Sequence, residues 1–191
     1  MKTLIFCIGF GFVATIMFAQ TSKTRSVSGI YMSWKDYKEG NLLPAEKIHL
    51  NQFLANRCID IVNNGIKKRY CKDSIFGYQD KKHRVFRFFK SYEDAYEILE
   101  NRELVIYLLY IPLHNSKGLS PNQQPVYYFS KSLSSKIEPL TIYNLKLAFP
   151  DNHEFHHYLD DVFGYGTPLS TYDNENKTYK VNYILSKSLN K

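Results

Sequence analysis

The pair Asn64-Gly65 constrains the fold of this chain most, because it sets a hairpin and its register together. A two-residue type I′ turn needs positive φ at both central positions, and Asn-Gly is the preferred pair there. Pairing outward from this turn places Asp60 opposite Arg69. The same count places Cys58 opposite Cys71 at a non-hydrogen-bonded position, where Cα atoms approach to about 4.5 Å and a disulfide can close.

This register also predicts which side chains share a face of the hairpin. Asp60 and Arg69 should lie on the disulfide face, and Ile59, Ile61 and Tyr70 on the opposite, core-facing side. Lys68 shares that core-facing side and must extend its ammonium to solvent along a buried stem. A three-residue loop at 63–65 is the alternative; it would pair Cys58 with Tyr70 and leave both thiols unbridged.

Residues 1–19 have the pattern of an export signal. Lys2 supplies the positive charge, Leu4 to Phe18 form an apolar stretch without charge, and Ala19 is the small residue before a cut at Gln20. We therefore expect a secreted or periplasmic protein. A retained membrane anchor is an alternative, but the uninterrupted apolar part is shorter than the ~20 residues of a spanning helix. Lipid attachment at Cys7 is a weaker alternative.

Export supports a disulfide between Cys58 and Cys71, because extracytoplasmic compartments are oxidising. Neither cysteine has a histidine near it in sequence that would indicate a nucleophile. We expect the bridge to be structural and to stabilise the fold by roughly 3 kcal/mol, since the loop that it closes is short.

Residues 20–191 have the length of a single domain. The whole chain has a net charge of +7, one unit of which belongs to Lys2 in the signal. The charges are scattered and no DNA- or RNA-reading motif is present, so we expect a basic solvated surface and no nucleic-acid partner. No transmembrane segment is expected after signal cleavage, and we expect a monomer.

Strand patterns dominate residues 27–130 and helical patterns dominate 140–191. The stretch Leu104 to Ile111 is continuously apolar or aromatic and predicts a strand covered on both faces and ended by Pro112. The composition of His114 to Pro125 indicates a long exposed loop, followed by a last strand at 126–130. The sequence predicts an α+β fold, with a curled antiparallel β-sheet or partly open barrel followed by C-terminal helices.

Capping residues mark the expected helix ends. Ser33 should cap one helical turn over 34–39 that Gly40 ends. Thr141 precedes the first C-terminal helix, and Asp151 or Asn152 precedes the second.

Several segments resemble small secreted proteins of unassigned function from the Bacteroidota. The resemblance rests on the signal before Gln20, Gly29-Ile30-Tyr31-Met32-Ser33-Trp34-Lys35-Asp36-Tyr37, Asp73-Ser74-Ile75-Phe76-Gly77-Tyr78, Tyr128-Phe129-Ser130-Lys131 and Leu147-Ala148-Phe149-Pro150-Asp151-Asn152. It implies an extracytoplasmic location and carries over no catalytic residue.

The string His153-Glu154-Phe155-His156-His157 matches H-E-x-x-H. This motif places two imidazoles one helical turn apart to hold Zn²⁺, with the glutamate as general base. Here Pro150 places His153 in the first turn of its helix, where the positive helix end disfavours a cation. No third ligand follows at the usual spacing. Adventitious metal binding and an ordinary exposed helix face are the alternatives to a catalytic site.

The chain contains 16 tyrosines and 13 phenylalanines. Tyr107, Tyr110, Tyr127 and Tyr128 are candidates for a platform that stacks on sugar rings or peptide, while aromatic residues equally build the core of a small sheet.

These observations favour a non-enzymatic binding module without a cofactor, whose ligand is a glycan or another cell-surface component. The alternative is a zinc-dependent hydrolase that uses His153 and His157 as metal ligands and Glu154 as general base.

Overall fold

The computed structural model describes residues 27–50, 57–89, 91–115 and 118–190, and for 91–93, 113–115 and 118–122 it describes the backbone alone. The predicted signal peptide, residues 1–19, lies outside these ranges, as does Cys7. None of the helices in the described ranges combines the length and apolar character needed to cross a membrane.

Strands come first along the described chain and most of the helical residues come last. The strands are β1 (Ser28–Tyr31), β2 (Leu43–Ala45), β3 (Lys47–Leu50), β4 (Cys58–Asn63), β5 (Ile66–Cys71), β6 (Gly77–Gln79), β7 (Val85–Phe89), β8 (Ser91–Asn101), β9 (Val105–Asn115), β10 (Gly118–Ser130), β11 (Glu138–Pro139), β12 (Tyr172–Asp173) and β13 (Thr178–Tyr179). The helices are α1 (Trp34–Glu39), α2 (Ile142–Ala148), α3 (His153–Phe163) and α4 (Lys180–Leu189). The predicted α+β class is confirmed.

Two sheets and a short hairpin make up the β structure of the described residues. The large sheet has eight antiparallel strands in the order β11-β10-β9-β8-β7-β6-β1-β2. It is open, because β11 and β2 form separate edges. The small sheet has the order β3-β4-β5, and β12 pairs with β13.

One face of the large sheet is covered by two different partners. Cross-strand pairing puts Tyr78, Phe86, Leu108 and Tyr127 on this first face, since directly opposed residues point the same way. Near β1, β6 and β7 it packs against the small sheet. Near β9 and β10 it packs against α2, α3 and α4. The helix-side core consists of Leu104, Ile106, Phe129, Leu145, Phe155, Leu159, Phe163, Val181, Ile184 and Leu185.

The second face of the large sheet is covered by α1 and by the segment 131–139. Tyr37 of α1 stacks on Phe76 with ring centroids 5.4 Å apart. Leu133 and Ile137 complete this core from the other side, where they join the fully buried Tyr107. The C-terminal helices cover one face of β9 and the segment 131–139 covers the other, which explains why β9 is apolar throughout its first half.

The predicted helix caps are confirmed. Ser33 and Asp36 form a capping box at the start of α1, and Gly40 ends this helix at φ 74°. Thr141 accepts a hydrogen bond from the backbone N–H of Asn144 at the start of α2. Asn152 caps α3, so that His153 is the first residue of the helix.

Two predictions are wrong: that a strand ends at Pro112, and that residues 114–125 form a loop. Strand β9 continues through Pro112 to Asn115, and β10 already begins at Gly118. Pro112 pairs with Gln123 beside the register shift between Leu119 and Gln123. The ladder is already interrupted there, so the missing N–H of proline costs little.

Candidate functional site

The β4–β5 hairpin has the predicted register. Asn64 and Gly65 both have positive φ, at 51° and 74°, and Cys58 lies opposite Cys71. The next pair outward from the turn, Arg57 and Lys72, is hydrogen-bonded: the N–H of Lys72 donates to the carbonyl of Arg57 at 2.7 Å. This confirms that the cysteines occupy a non-hydrogen-bonded position.

The two cysteine sulfur atoms lie 3.0 Å apart. That is contact, but it is longer than the ~2.05 Å of a disulfide bond, so the bridge itself stays a prediction. The contact with Cys58 raises the pKa of the exposed Cys71 thiol. A raised pKa lowers the thiolate fraction, which argues against a catalytic nucleophile at Cys71.

Asp60 and Arg69 are cross-strand partners on the cysteine face, as predicted. Arg69 donates two hydrogen bonds to the Asp60 carboxylate at 2.7 and 3.1 Å, and Lys67 Nζ lies 3.0 Å from the same carboxylate. These two cations hold the pKa of Asp60 well below its ordinary value, and they outweigh the opposing effect of burial. On the opposite side Ile59 and Ile61 are buried.

Lys68 is paired with the buried Ile61, as the register predicts. The residue is exposed, so the predicted burial of its stem is wrong. Tyr70 is half-buried and packs against the core between the two sheets.

The H-E-x-x-H residues lie on α3 without assembling a metal site in the described part of the chain. His153 and His157 are exposed, and Glu154 accepts a hydrogen bond from Tyr158 at 2.7 Å. His156 Nε2 lies 2.8 Å from the Phe149 carbonyl oxygen. No group of three or more His, Cys, Asp or Glu side chains converges to hold a metal ion among the described residues. A shallow recess of about 500 Å³ touches His153 and Glu154.

The four candidate tyrosines do not form a platform. Tyr107 has no exposed surface, because it points into the core on the second face of the large sheet, and Tyr128 packs there against Tyr96. Tyr127 points to the first face and packs against the helix-side core. Tyr110 alone of the four is largely exposed. Strand alternation separates these residues onto opposite faces of the sheet.

The hydroxyl group of Tyr107 belongs to a buried polar network. Arg87, itself 4% exposed, donates to Tyr107 Oη at 2.6 Å and to the Ser135 carbonyl at 2.8 Å. The guanidinium also lies over the Phe76, Phe89 and Tyr107 rings. Every buried side-chain nitrogen or oxygen in the described residues has a hydrogen-bond partner. This network has the character of a structural core.

A groove between the two sheets is the strongest candidate for a binding site. This inter-sheet groove has a volume of about 550 Å³. One wall is β3, and the other is the β6–β7 hairpin. Its lining residues are Ser28, Glu46, Lys47, Ile48, His49, Leu50, Tyr78, Asp80, Lys81, Lys82, Arg84 and Phe86. A recess of about 460 Å³ adjoins it and shares Ser28, Glu46 and Lys81.

The β6–β7 turn presents the basic side chains of its wall in a fixed loop. Asp80 accepts hydrogen bonds from the backbone N–H groups of Lys82 and Arg84 at 2.8 and 3.0 Å. Arg84 also pairs with Asp80 through its guanidinium at 2.7 Å. Burial raises the pKa of Asp80, but these hydrogen bonds together lower it below its ordinary value. Lys81 and Lys82 are left exposed at the tip of the turn.

The groove has an excess of positive charge, because four cationic lining residues, Lys47, Lys81, Lys82 and Arg84, stand against two carboxylates, Glu46 and Asp80. Lys47, Lys81 and Lys82 are exposed and form no ion pair with any described residue. The acidic lining residues are engaged within the fold: Asp80 holds its own turn, and Glu46 accepts a hydrogen bond from the Asn64 N–H at 3.2 Å. The arrangement therefore favours an anionic ligand.

The sequence indicates the two walls of this groove only separately. Gln79-Asp80-Lys81-Lys82 has the composition of an exposed turn, and the segment from Lys47 to Phe53 alternates in part between polar and apolar residues. No local signal shows that β3 and the β6–β7 turn face each other, because the two come together only through packing of the small sheet on the large one.

Comparisons with known proteins do not assign this chain to a family. No model of a known protein family, no curated protein sequence and no solved structure matches the chain significantly.

Proposed function

We propose that this protein is an exported, non-enzymatic binding module, secreted or periplasmic, and that its inter-sheet groove binds an anionic component of the cell surface. The observation that carries the proposal is the set of lysines on both walls of the groove, Lys47, Lys81 and Lys82, which form no ion pair with any described carboxylate and give the lining an excess of positive charge. A net excess of charge in a concave site raises the local concentration of the opposite charge.

Export is the second part of the proposal, and it rests on the signal pattern of residues 1–19 and on the disulfide-ready cysteine pair. The resemblance to small secreted proteins of the Bacteroidota favours the same compartment. A charged glycan is one cell-surface component of suitable chemistry.

The test is a glycan array and a peptidoglycan pull-down at low salt and with about 200 mM salt, which screens exposed charges. We expect a Lys47→Glu/Lys81→Glu variant, with one change on each wall, to lose at least tenfold in retention. The matched control is Lys38→Glu/Lys68→Glu, which makes the same change in net charge at exposed residues away from the groove. Equal losses in both variants would show that diffuse surface charge alone causes the attraction. That result would contradict a site in the groove.

The alternative of a zinc-dependent hydrolase needs a third metal ligand beside His153 and His157. The described residues supply no such group. We expect a metal content near zero after dialysis against a weak chelator. One tightly held zinc ion per chain, together with a hydrolytic activity that Glu154→Gln abolishes, would establish the alternative.

A further inference from the structure

Strand β3 offers its edge to the inter-sheet groove. All four of its residues line the groove, although successive side chains of a strand point to opposite faces. A groove that contacts consecutive residues of a strand must therefore run along the edge of that strand. In the described part of the chain β3 pairs with β4 alone, so this edge has no described strand beside it.

The side chains of β3 divide the groove into a basic side and an apolar side. Lys47 and His49 share the face of Asp60 and Val62, while Ile48 and Leu50 pack towards the core between the two sheets. A strand laid along this edge would follow the same alternation, because cross-strand neighbours share a face. Every second residue would meet Lys47 and His49, and the residues between would meet the apolar floor.

The floor of the groove is poorly suited to stacking on a sugar ring. Tyr78 is 7% exposed and stacks on Phe86 with ring centroids 4.8 Å apart and planes within 10°. The Arg84 guanidinium lies 5.2 Å from the centroid of the Phe86 ring. The aromatic surfaces are therefore already engaged by protein groups, which favours a ligand held by its backbone and by small apolar side chains.

Charge complementarity selects the partner. A second copy of β3 placed along the same edge would bring lysine and histidine side chains against each other, and lysine on an edge strand discourages such self-pairing. An acidic strand meets a net attraction, because Lys47, Lys81 and Lys82 outnumber the Glu46 carboxylate and Asp80 is paired with Arg84.

We propose that the occupant of the inter-sheet groove is an extended acidic polypeptide segment that adds as a further strand to the free edge of β3. The proposal rests on the proposed function and names its ligand class. The four residues of β3 span about 13 Å, so the recognised segment is four to six residues long. Acidic side chains alternate with small apolar ones along it.

The experiment measures binding of capped hexapeptides to the full mature protein by fluorescence anisotropy. The first peptide alternates glutamate with valine, and the second has the same composition with three glutamates followed by three valines. Two further versions of the alternating peptide are N-methylated, one at the glutamates and one at the valines. Successive N–H groups of a strand point to opposite edges, so each version blocks one edge only. Hexagalacturonate is the glycan probe.

We expect the alternating peptide to bind at least tenfold more tightly than the block peptide. One of the two N-methylated versions should lose at least tenfold and the other should bind unchanged. Lys47→Glu/Lys81→Glu should weaken binding, and Lys38→Glu/Lys68→Glu should not.

The other outcomes are distinguishable. Equal binding of all four peptides that still depends on Lys47 and Lys81 would retain the anionic site and overturn strand addition. Binding of hexagalacturonate alone, with the same dependence, would assign the groove to a glycan and overturn the peptide class. Self-association that competes with the peptide would assign the edge to a second copy. No groove-dependent binding of any probe would overturn the proposed function itself.

Discussion

Single residues on the outer face of the β4–β5 hairpin form a cysteine pair and an ionic cluster. Cys58 and Cys71 end the ladder, and Asp60 lies two residues further in, covered by the side chains of Lys67 and Arg69. The carboxylate side chain is 3% exposed, whereas both cations remain largely exposed. A buried charge of this kind costs little only while its partners stay in place.

In the exported protein we predict that Cys58 and Cys71 are bridged. Thiol labelling of denatured, unreduced protein should find no free cysteine. A Cys58→Ala/Cys71→Ala variant should lose about 3 kcal/mol of unfolding free energy in urea, because the short closed loop no longer restricts the unfolded chain. Full labelling of both cysteines would show that no bridge forms in that compartment.

Asp60 should make folding stability dependent on pH in the acid range. Its pKa is lowered in the folded protein by Arg69 and Lys67, so its contribution is fully present above the unfolded value of about 3.9 and is lost as the pH falls through the folded value. Asp60→Asn should cost about 1–3 kcal/mol at pH 7, and the gap to wild type should narrow below about pH 4. Urea unfolding of both proteins at a series of pH values measures this, and a constant gap would contradict the assignment.

At the scale of elements, α4 is fixed to the large sheet by one buried amide. Asn182 is 1% exposed; its Oδ1 accepts from the Leu104 N–H at 2.8 Å and its Nδ2 donates to the Leu104 carbonyl at 3.2 Å. The same Nδ2 donates to Glu100 at 2.6 Å. The helix thereby satisfies backbone groups at the start of β9 that lie away from water.

Replacing Asn182 by alanine should therefore leave the N–H of Leu104 buried without this partner, whereas the Leu104 C=O keeps its hydrogen bond from the Arg102 N–H at 3.1 Å. We expect a loss of about 1–3 kcal/mol in unfolding free energy, from one unsatisfied backbone group and the lost packing. Asn190→Ala, at the exposed end of α4, is the matched control and should change stability by less than about 0.5 kcal/mol. Similar effects of the two substitutions would show that the Asn182 contacts contribute little.

Elements whose signals are local were predicted from the sequence. The Asn64-Gly65 turn fixed the β4–β5 register, and capping residues located the starts of α1, α2 and α3. Strand β8 was missed, because its acidic residues interrupt any apolar alternation. The extension of β9 past Pro112 was missed because composition alone does not distinguish a long hairpin with a bulge from a loop.

At the scale of the whole molecule, the candidate site depends on how the small sheet packs on the large one. The connection from β2 to β3 turns the chain from the edge of the large sheet into the edge of the small one, and this places Lys47 across from the β6–β7 turn. Such a juxtaposition is a property of tertiary packing, and no sequence period encodes it. Likewise, the burial of Tyr107 follows from strand position and not from its residue type.

The central claim is that the inter-sheet groove is the binding site for an anionic ligand. The most direct measurement is mapping of backbone amide chemical shifts on titration with whichever of the alternating hexapeptide and hexagalacturonate binds more tightly. We predict that the perturbed amides concentrate in Lys47–Leu50 and in the turn and strand at 80–86, and that Lys47→Glu/Lys81→Glu abolishes them. Perturbations centred on His153 and Glu154, or scattered evenly over the surface, would contradict the account.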